Sequence, residues 1–155
     1  MKNYTSSSYP KEDGWLYGSK LSKLTIGDNI KQIGEYTFYH CSSLTSVTIG
    51  NGVTSIGSHA FSDCTSLTSI TIPDGVTEIG GWAFYNCSSL ESVYCRPTTP
   101  PTGDEWMFFY FTISNKGPIY RHIGCAIYVP TESVKAYKAA EGWSEYANDI
   151  VGYGF

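Results

Sequence analysis

Three histidines, five cysteines and fourteen carboxylates are the groups of this 155-residue chain with the means to do chemistry. A hydrolase built on serine, histidine and aspartate needs a nucleophile, a base and an orienting acid that meet in space. His40, His59 and His122 offer no such set, because the chain holds no H-E-x-x-H, no G-x-S-x-G and no glycine motif that cradles phosphate. His59 has Tyr36 and Trp82 at equivalent places 23 residues before and after it, and His40 is followed at the same step by Asp63 and Asn86. Positions that accept such different side chains read as surface. Asp74, Glu78 and Glu91 fall in turns or on exposed strand positions rather than in facing pairs. No catalytic residue and no cofactor is expected, and the motifs give a hydrolytic enzyme no support.

The cysteines point to packing instead. Cys41, Cys64 and Cys87 recur at the same 23-residue step, one per step, without the C-x-x-C pairing of a zinc site. A column of small residues of this kind packs inside, where free cysteine behaves as a small apolar group. No metal is expected. Cys95 falls in the column of Ile49 and Ile72 and is expected to point inward, and Cys125 is left over. Neighbouring coils are close enough for a bridge, but an odd number cannot pair completely, so the compartment stays open.

The step that aligns these residues runs through the chain. Leu21 to Ser43, Leu44 to Ser66 and Leu67 to Ser89 align without insertion or deletion. Apolar columns stand at Leu24/Val47/Ile70, Ile26/Ile49/Ile72, Ile30/Val53/Val76, Ile33/Ile56/Ile79 and Phe38/Phe61/Phe84, with glycine at Gly34/Gly57/Gly80. A fixed period with an L-x-x-L-x-L core is the leucine-rich-repeat signal. The expected fold is a mainly β, right-handed repeat solenoid: parallel ladders, short helical turns and a C-terminal helical cap. One coil cannot bury its own apolar face, so stability must come from its neighbours and the ends need covering.

In each coil, strict alternation in Leu44-Thr45-Ser46-Val47-Thr48-Ile49 places Val47 and Ile49 inside and Ser46 and Thr48 outside. Gly50-Asn51-Gly52 and Pro73-Asp74-Gly75 are turn chemistry. Val53 to Gly57 then reads as a second short strand, and His59 to Cys64 as no more than a helical turn. Five main strands are expected near residues 24, 47, 70, 93 and 127.

Residues 1–155 read as a single domain in four parts: an N-terminal half-coil over 1–20, repeats over 21–95, an aromatic and proline-rich insertion over 96–124, and a last strand with helical cap over 125–155. Trp15 aligns with the Phe column. Pro97, Pro100 and Pro101 remove ladder donors, so the chain is expected to loop out after Cys95. The run Trp106 to Phe111 then falls about where Ala-Phe would stand. Ala126 to Pro130 repeats the spacing of Ser69 to Pro73, after which Thr131 is expected to cap a helix from Glu132 to about Ala140, with Gly142 as the stop.

A net charge of -4 gives no basic footprint for nucleic acid. No apolar run approaches the roughly 18 residues of a membrane span, and Met1 to Ser6 lacks the apolar core of a signal peptide. What remains is the outward face of the main ladder. Its columns are Lys23/Ser46/Ser69/Ser92 and Thr25/Thr48/Thr71/Tyr94, the latter continuing to Tyr128. The candidate contact residues are Thr48, Thr71, Tyr94, Tyr128, Ser69 and Ser92, with Trp106 from the insertion, and the expected partner is a protein or a glycan. A structural or assembly repeat without such a ligand is the alternative. An ice-binding face is not supported, since paired threonine rows are missing.

The pattern L-x-x-[VI]-x-I-[PG]-x-G-V-T-x-I-G-x-x-A-F-x-x-C in the second and third copies resembles the BspA-like leucine-rich repeats of bacterial surface proteins, also called the Treponema pallidum type. The tail from Ile127 to Tyr137, with Gly142-Trp143 and Tyr146, is similar to the ending of such proteins in gut Bacteroides. The resemblance implies a non-enzymatic adhesion module, secreted or on the cell surface, with host matrix proteins such as fibronectin and fibrinogen among the partners of its family.

Overall fold

A computed structural model describes residues 16 and 18–155 of the chain. The expectation that Trp15 opens the Phe column lies outside the described residues. In chain order the elements are β1 (Lys23–Ile26), β2 (Gln32–Ile33), β3 (Ser46–Ile49), β4 (Ser55–Ile56), β5 (Ser69–Ile72), β6 (Glu78–Ile79), β7 (Ser92–Cys95), β8 (Phe109–Ser114), β9 (Gly117–His122), β10 (Ala126–Pro130), α1 (Val134–Ala139) and β11 (Ile150–Tyr153). Short 3-10 turns cover Thr131–Ser133 and Ser144–Tyr146.

The repeat columns become the register. Leu24 pairs with Val47 and Ile26 with Ile49 across β1 and β3, while Ile70, Val93, Ile127 and Ile150 line up across β5, β7, β10 and β11, all parallel. The second ladder runs β2, β4, β6, also parallel. The main ladder is hydrogen-bonded in two pieces, β1 with β3 and β5 through β11, although β3 and β5 are neighbours. Pro73, which has no N–H, stands where Gly50 donates to the Ile26 carbonyl (2.8 Å) and Arg96 to that of Ile72 (3.1 Å).

Each coil is keyed to its neighbours by donors running in both directions. Toward the preceding coil, Thr54 donates its N–H (2.8 Å) and Oγ1 (3.1 Å) to the Lys31 carbonyl, and Thr77 repeats both bonds to Thr54. The Cys64 thiol donates to the Phe38 carbonyl (3.3 Å) and that of Cys87 to Phe61 (3.2 Å). At the opposite corner the backbone N–H groups of Tyr36, Phe38 and His40 donate to Ser58, Ala60 and Ser62 of the following coil, and the pattern recurs one coil later.

That corner corrects the reading of the His59 and His40 columns as surface and shows what the repeat glycines do. The repeat glycines do not serve positive φ: a Cβ on Gly80 would lie 2.4 Å from the Ser58 nitrogen, so what they provide is close approach of one coil to the next. The positive φ falls instead on Tyr36, His59 and Trp82 and on His40, Asp63 and Asn86, with φ between 54° and 61°. These two columns vary in residue type because their shared constraint is on the backbone, and they are half-buried rather than plain surface, apart from Trp82 at 38% exposure.

The insertion departs from expectation by staying in the stack. Thr102, beyond the prolines, keeps its N–H and bonds Thr77 (2.9 Å), accepts from Ile79 (2.8 Å) and bridges Glu78, adding a rung to the second ladder. Met107 and Phe108 then take the Ala-Phe places. Phe38, Phe61, Phe84 and Phe108 stack in one column at centroid spacings of 5.2, 5.6 and 5.4 Å. Only after this does the chain leave the solenoid, as the antiparallel hairpin β8–β9.

The cap is shorter and differently tied than expected. Thr131 makes no side-chain cap bond: it opens a 3-10 turn, and α1 starts at Val134. Ser133, Tyr137, Trp143 and Tyr146 donate to the carbonyls of Thr98, Pro97, Pro101 and Glu105, so the cap satisfies the acceptors that the proline-rich segment leaves without ladder partners. Gly142 does take a positive φ of 77°. Ile150 is the first residue of a sixth main strand, β11, within the stretch expected to be helical cap.

Candidate functional site

The outward face of the main ladder carries Thr48, Thr71 and Ser69 exposed and Ser92, Tyr94 and Tyr128 half-buried. Tyr94 and Tyr128 are direct ladder partners. Parallel strands run about 4.8 Å apart, which is also a stacking distance for rings, and the two phenol rings lie 4.9 Å apart at 15°. Tyr153, from β11, meets both edge-on at 5.7 and 5.4 Å, and Phe155 packs on Tyr153. The Arg96 guanidinium sits 5.6 Å from the Phe155 ring and pairs with Asp74 at 3.1 Å. The ladder thus passes from small hydroxyls at its start to an aromatic patch at its C-terminal end.

Tyr153, Phe155 and Arg96 were missed by sequence reasoning. The signal was present, because one further step of 23 from Ile127 lands on Ile150 and brings Tyr153 beside Pro130.

Trp106 is placed elsewhere. It stacks on Trp82 at 6.4 Å and meets Phe109 and Tyr120, extending a second aromatic row of Tyr36, His59 and Trp82 along the positive-φ corner. No ring contact joins it to Tyr94 or Tyr128. His59, between Tyr36 and Trp82, has a buried Nδ1 without a hydrogen-bond partner. Burial pulls its pKa below the usual histidine value, against the opposing charges of Asp63, Glu35 and Asp104.

The cysteines are buried and free. Burial pushes the thiols of Cys64, Cys95 and Cys125 up to about 12 and those of Cys41 and Cys87 upward, so they stand protonated at neutral pH and suit a packing role. Among the described residues no group of three or more His, Cys, Asp or Glu could hold a metal ion, and no helix is long and apolar enough to cross a membrane.

A family model described as BspA type leucine rich repeat region, in six copies, matches residues 12–116. Among solved structures, the T. pallidum leucine rich repeat protein is 25% identical, covering 90% of this chain and 59% of its own, with a TM-score of 0.64. A Bacteroides ovatus leucine-rich repeat protein is 25% identical over 91% of this chain and 33% of its own, with a TM-score of 0.57. A Faecalibacterium prausnitzii protein described as a leucine rich cell surface protein is 26% identical over 74% of this chain and 37% of its own, with a TM-score of 0.50. The chain therefore spans 33% to 59% of the length of these three relatives. Comparison with curated proteins gives no match.

Proposed function

Because the chain belongs to the BspA-type leucine-rich repeat family, we propose that it is a non-enzymatic binding module of a surface protein, holding a protein or glycan partner against the C-terminal end of its main ladder. The observation that carries this reading is the patch of Tyr94, Tyr128 and Tyr153, three rings in mutual contact on the outward face. Rings already packed on one another lose little freedom when a partner arrives, and tyrosine is enriched among the residues that dominate binding energy. Ser69, Ser92, Thr48 and Thr71 extend the patch as a flat hydroxyl surface that can donate to and accept from a partner. The surface setting is supported by the F. prausnitzii relative, whose description names it a cell surface protein.

A screen of the purified chain against matrix proteins and a glycan array, repeated with Tyr94→Ala/Tyr128→Ala, tests the reading. The double variant is expected to weaken a partner found in the screen by roughly tenfold or more. Unchanged binding by a folded double variant would move the contact elsewhere, and binding to no target would favour an assembly role.

A further inference from the structure

On a different face from the main ladder, a pocket of about 340 Å³ is lined by Trp82, Trp106, Asp104, Glu105 and Glu141. Local backbone geometry builds it. The positive φ of Trp82 turns its ring out along the corner, and Trp106 follows it one coil later at 15° to the first ring. Asp104 lies over Gly81, where a Cβ would sit 2.1 Å from its Oδ2, and its Oδ1 accepts the backbone N–H of Trp106 at 2.9 Å. Gly142, at φ 77°, lets the segment after α1 lie against the Gly103 carbonyl, so that Glu141 closes the pocket.

Three carboxylates and two indoles line this space, and no lysine or arginine does. The ion pair of the described residues, Arg96 with Asp74, involves none of them. A metal ion is a poor occupant, since no three ligating groups converge on a point among the described residues. A neutral sugar could stack on an indole but would leave the carboxylate charges uncompensated. We propose that the pocket receives a guanidinium group. That cation is flat, stacks on an aromatic face, is more weakly hydrated than an ammonium and pairs with carboxylates through two parallel N–H bonds. It could belong to a free arginine-like molecule or to an arginine side chain of a partner protein, and both sources offer the same group.

The indole N–H signals of the intact chain in ¹H–¹⁵N spectra test this. Titration with N-acetyl-arginine amide is expected to move the Trp82 and Trp106 signals to saturation, while Trp143, whose indole is buried and bonded to the Pro101 carbonyl, stays still. The shifts should weaken as salt is added. Glu105→Gln/Glu141→Gln keeps the shape of two exposed side chains and is expected to weaken the response at least tenfold. A neutral citrulline amide should give no saturable shift, and a lysine amide a weaker one. Absence of saturation, equal shifts with citrulline or lysine, or an undiminished response in a folded double Gln variant would overturn the proposal. An arginine-containing tripeptide that binds tenfold tighter than the single residue would identify the source as a partner's side chain, and equal binding would identify a free small molecule.

Discussion

Two regions of the molecule solve the same problem by different means. From Leu21 to Cys95 each coil finds its hydrogen-bond partners in a near-copy of itself, through repeated bonds such as Thr77 to Thr54 and Cys87 to Phe61. From Arg96 onward the period breaks, and single side chains of the cap take over the work of the missing coil: Ser133, Tyr137, Trp143 and Tyr146 bond four carbonyls of one segment. Repetition needs no particular residue to be unique, whereas a cap does. The aromatic patch and the Trp82/Trp106 pocket both arise where repetition stops.

The Phe column crosses the boundary and offers the strongest test of it. Phe61→Ala and Phe108→Ala should each cost about 3–5 kcal/mol, as truncations of fully buried aromatic rings do. Urea unfolding measures both. A loss below about 1 kcal/mol at Phe108 would detach the insertion from the stack and break the comparison.

Buried thiols occur on both sides of the boundary, so both regions should respond to alkali in the same window. The thiols of Cys64, Cys95 and Cys125 titrate near 12 when folded, against 9.0 for the unperturbed group. A folded pKa above the unfolded one gives stability that is full below the lower value and is lost as pH rises toward the upper one. Each thiol can contribute up to about 4 kcal/mol of loss between the two values. Comparing denaturant midpoints at neutral pH and near the upper value, in the parent and in Cys64→Ala, isolates one of them. An equal fall in both proteins would show that Cys64 ionises freely.

Tyr146→Phe probes the cap alone. Its hydroxyl donates to the Glu105 carbonyl and accepts the Phe108 N–H at 3.1 Å, and leaving those groups unpaired should cost about 1–3 kcal/mol. Thr77→Val, which removes one of many repeated bonds, should cost about 1 kcal/mol or less. If the threonine change proves the larger in thermal or urea melts, the contrast between cap and repeat fails. The smallest effect is expected at Thr48→Ala on the exposed ladder face, within about 0.5 kcal/mol, so that any loss of partner binding there can be read without a stability correction.

Much of this was legible in the sequence, and the period carried most of it. The period set the register of the main strands from β1 to β7, the inward cysteines and the Phe stack, because coils at identical spacing must present identical faces, while β10 was legible from the likeness of Ala126–Pro130 to Ser69–Pro73. It also held β11, which went unread because Ile150 had been assigned to the cap rather than counted one more step from Ile127. The hairpin β8–β9 was not expected, because Phe109 to Phe111 belong to the run that falls at the Ala-Phe packing place, although Asn115-Lys116-Gly117 is turn chemistry between the two strands. The positive-φ columns were legible only in part: His40, Asp63 and Asn86 are of types enriched in left-handed backbone and carried the signal, whereas Tyr36 and Trp82 gave none. That Tyr94 and Tyr128 stand side by side was legible because they share a column, while the place of Tyr153 beside them depended on β11.

The opposed donors of the two sides of each coil have an electrostatic consequence. In an α-helix all peptide dipoles, about 3.5 D each, point the same way and leave partial charges at the ends. Here the N–H groups of Thr54, Gly57 and Thr77 point back along the stack, while those of Tyr36, Phe38, His59 and Phe61 point forward. In the coil from Leu44 to Ser66, which carries both sets, the axial moments oppose one another. A solenoid of this kind accumulates little field as coils are added, so the potential at either end is set by the charged side chains placed there, the acidic rim of the Trp82/Trp106 pocket among them.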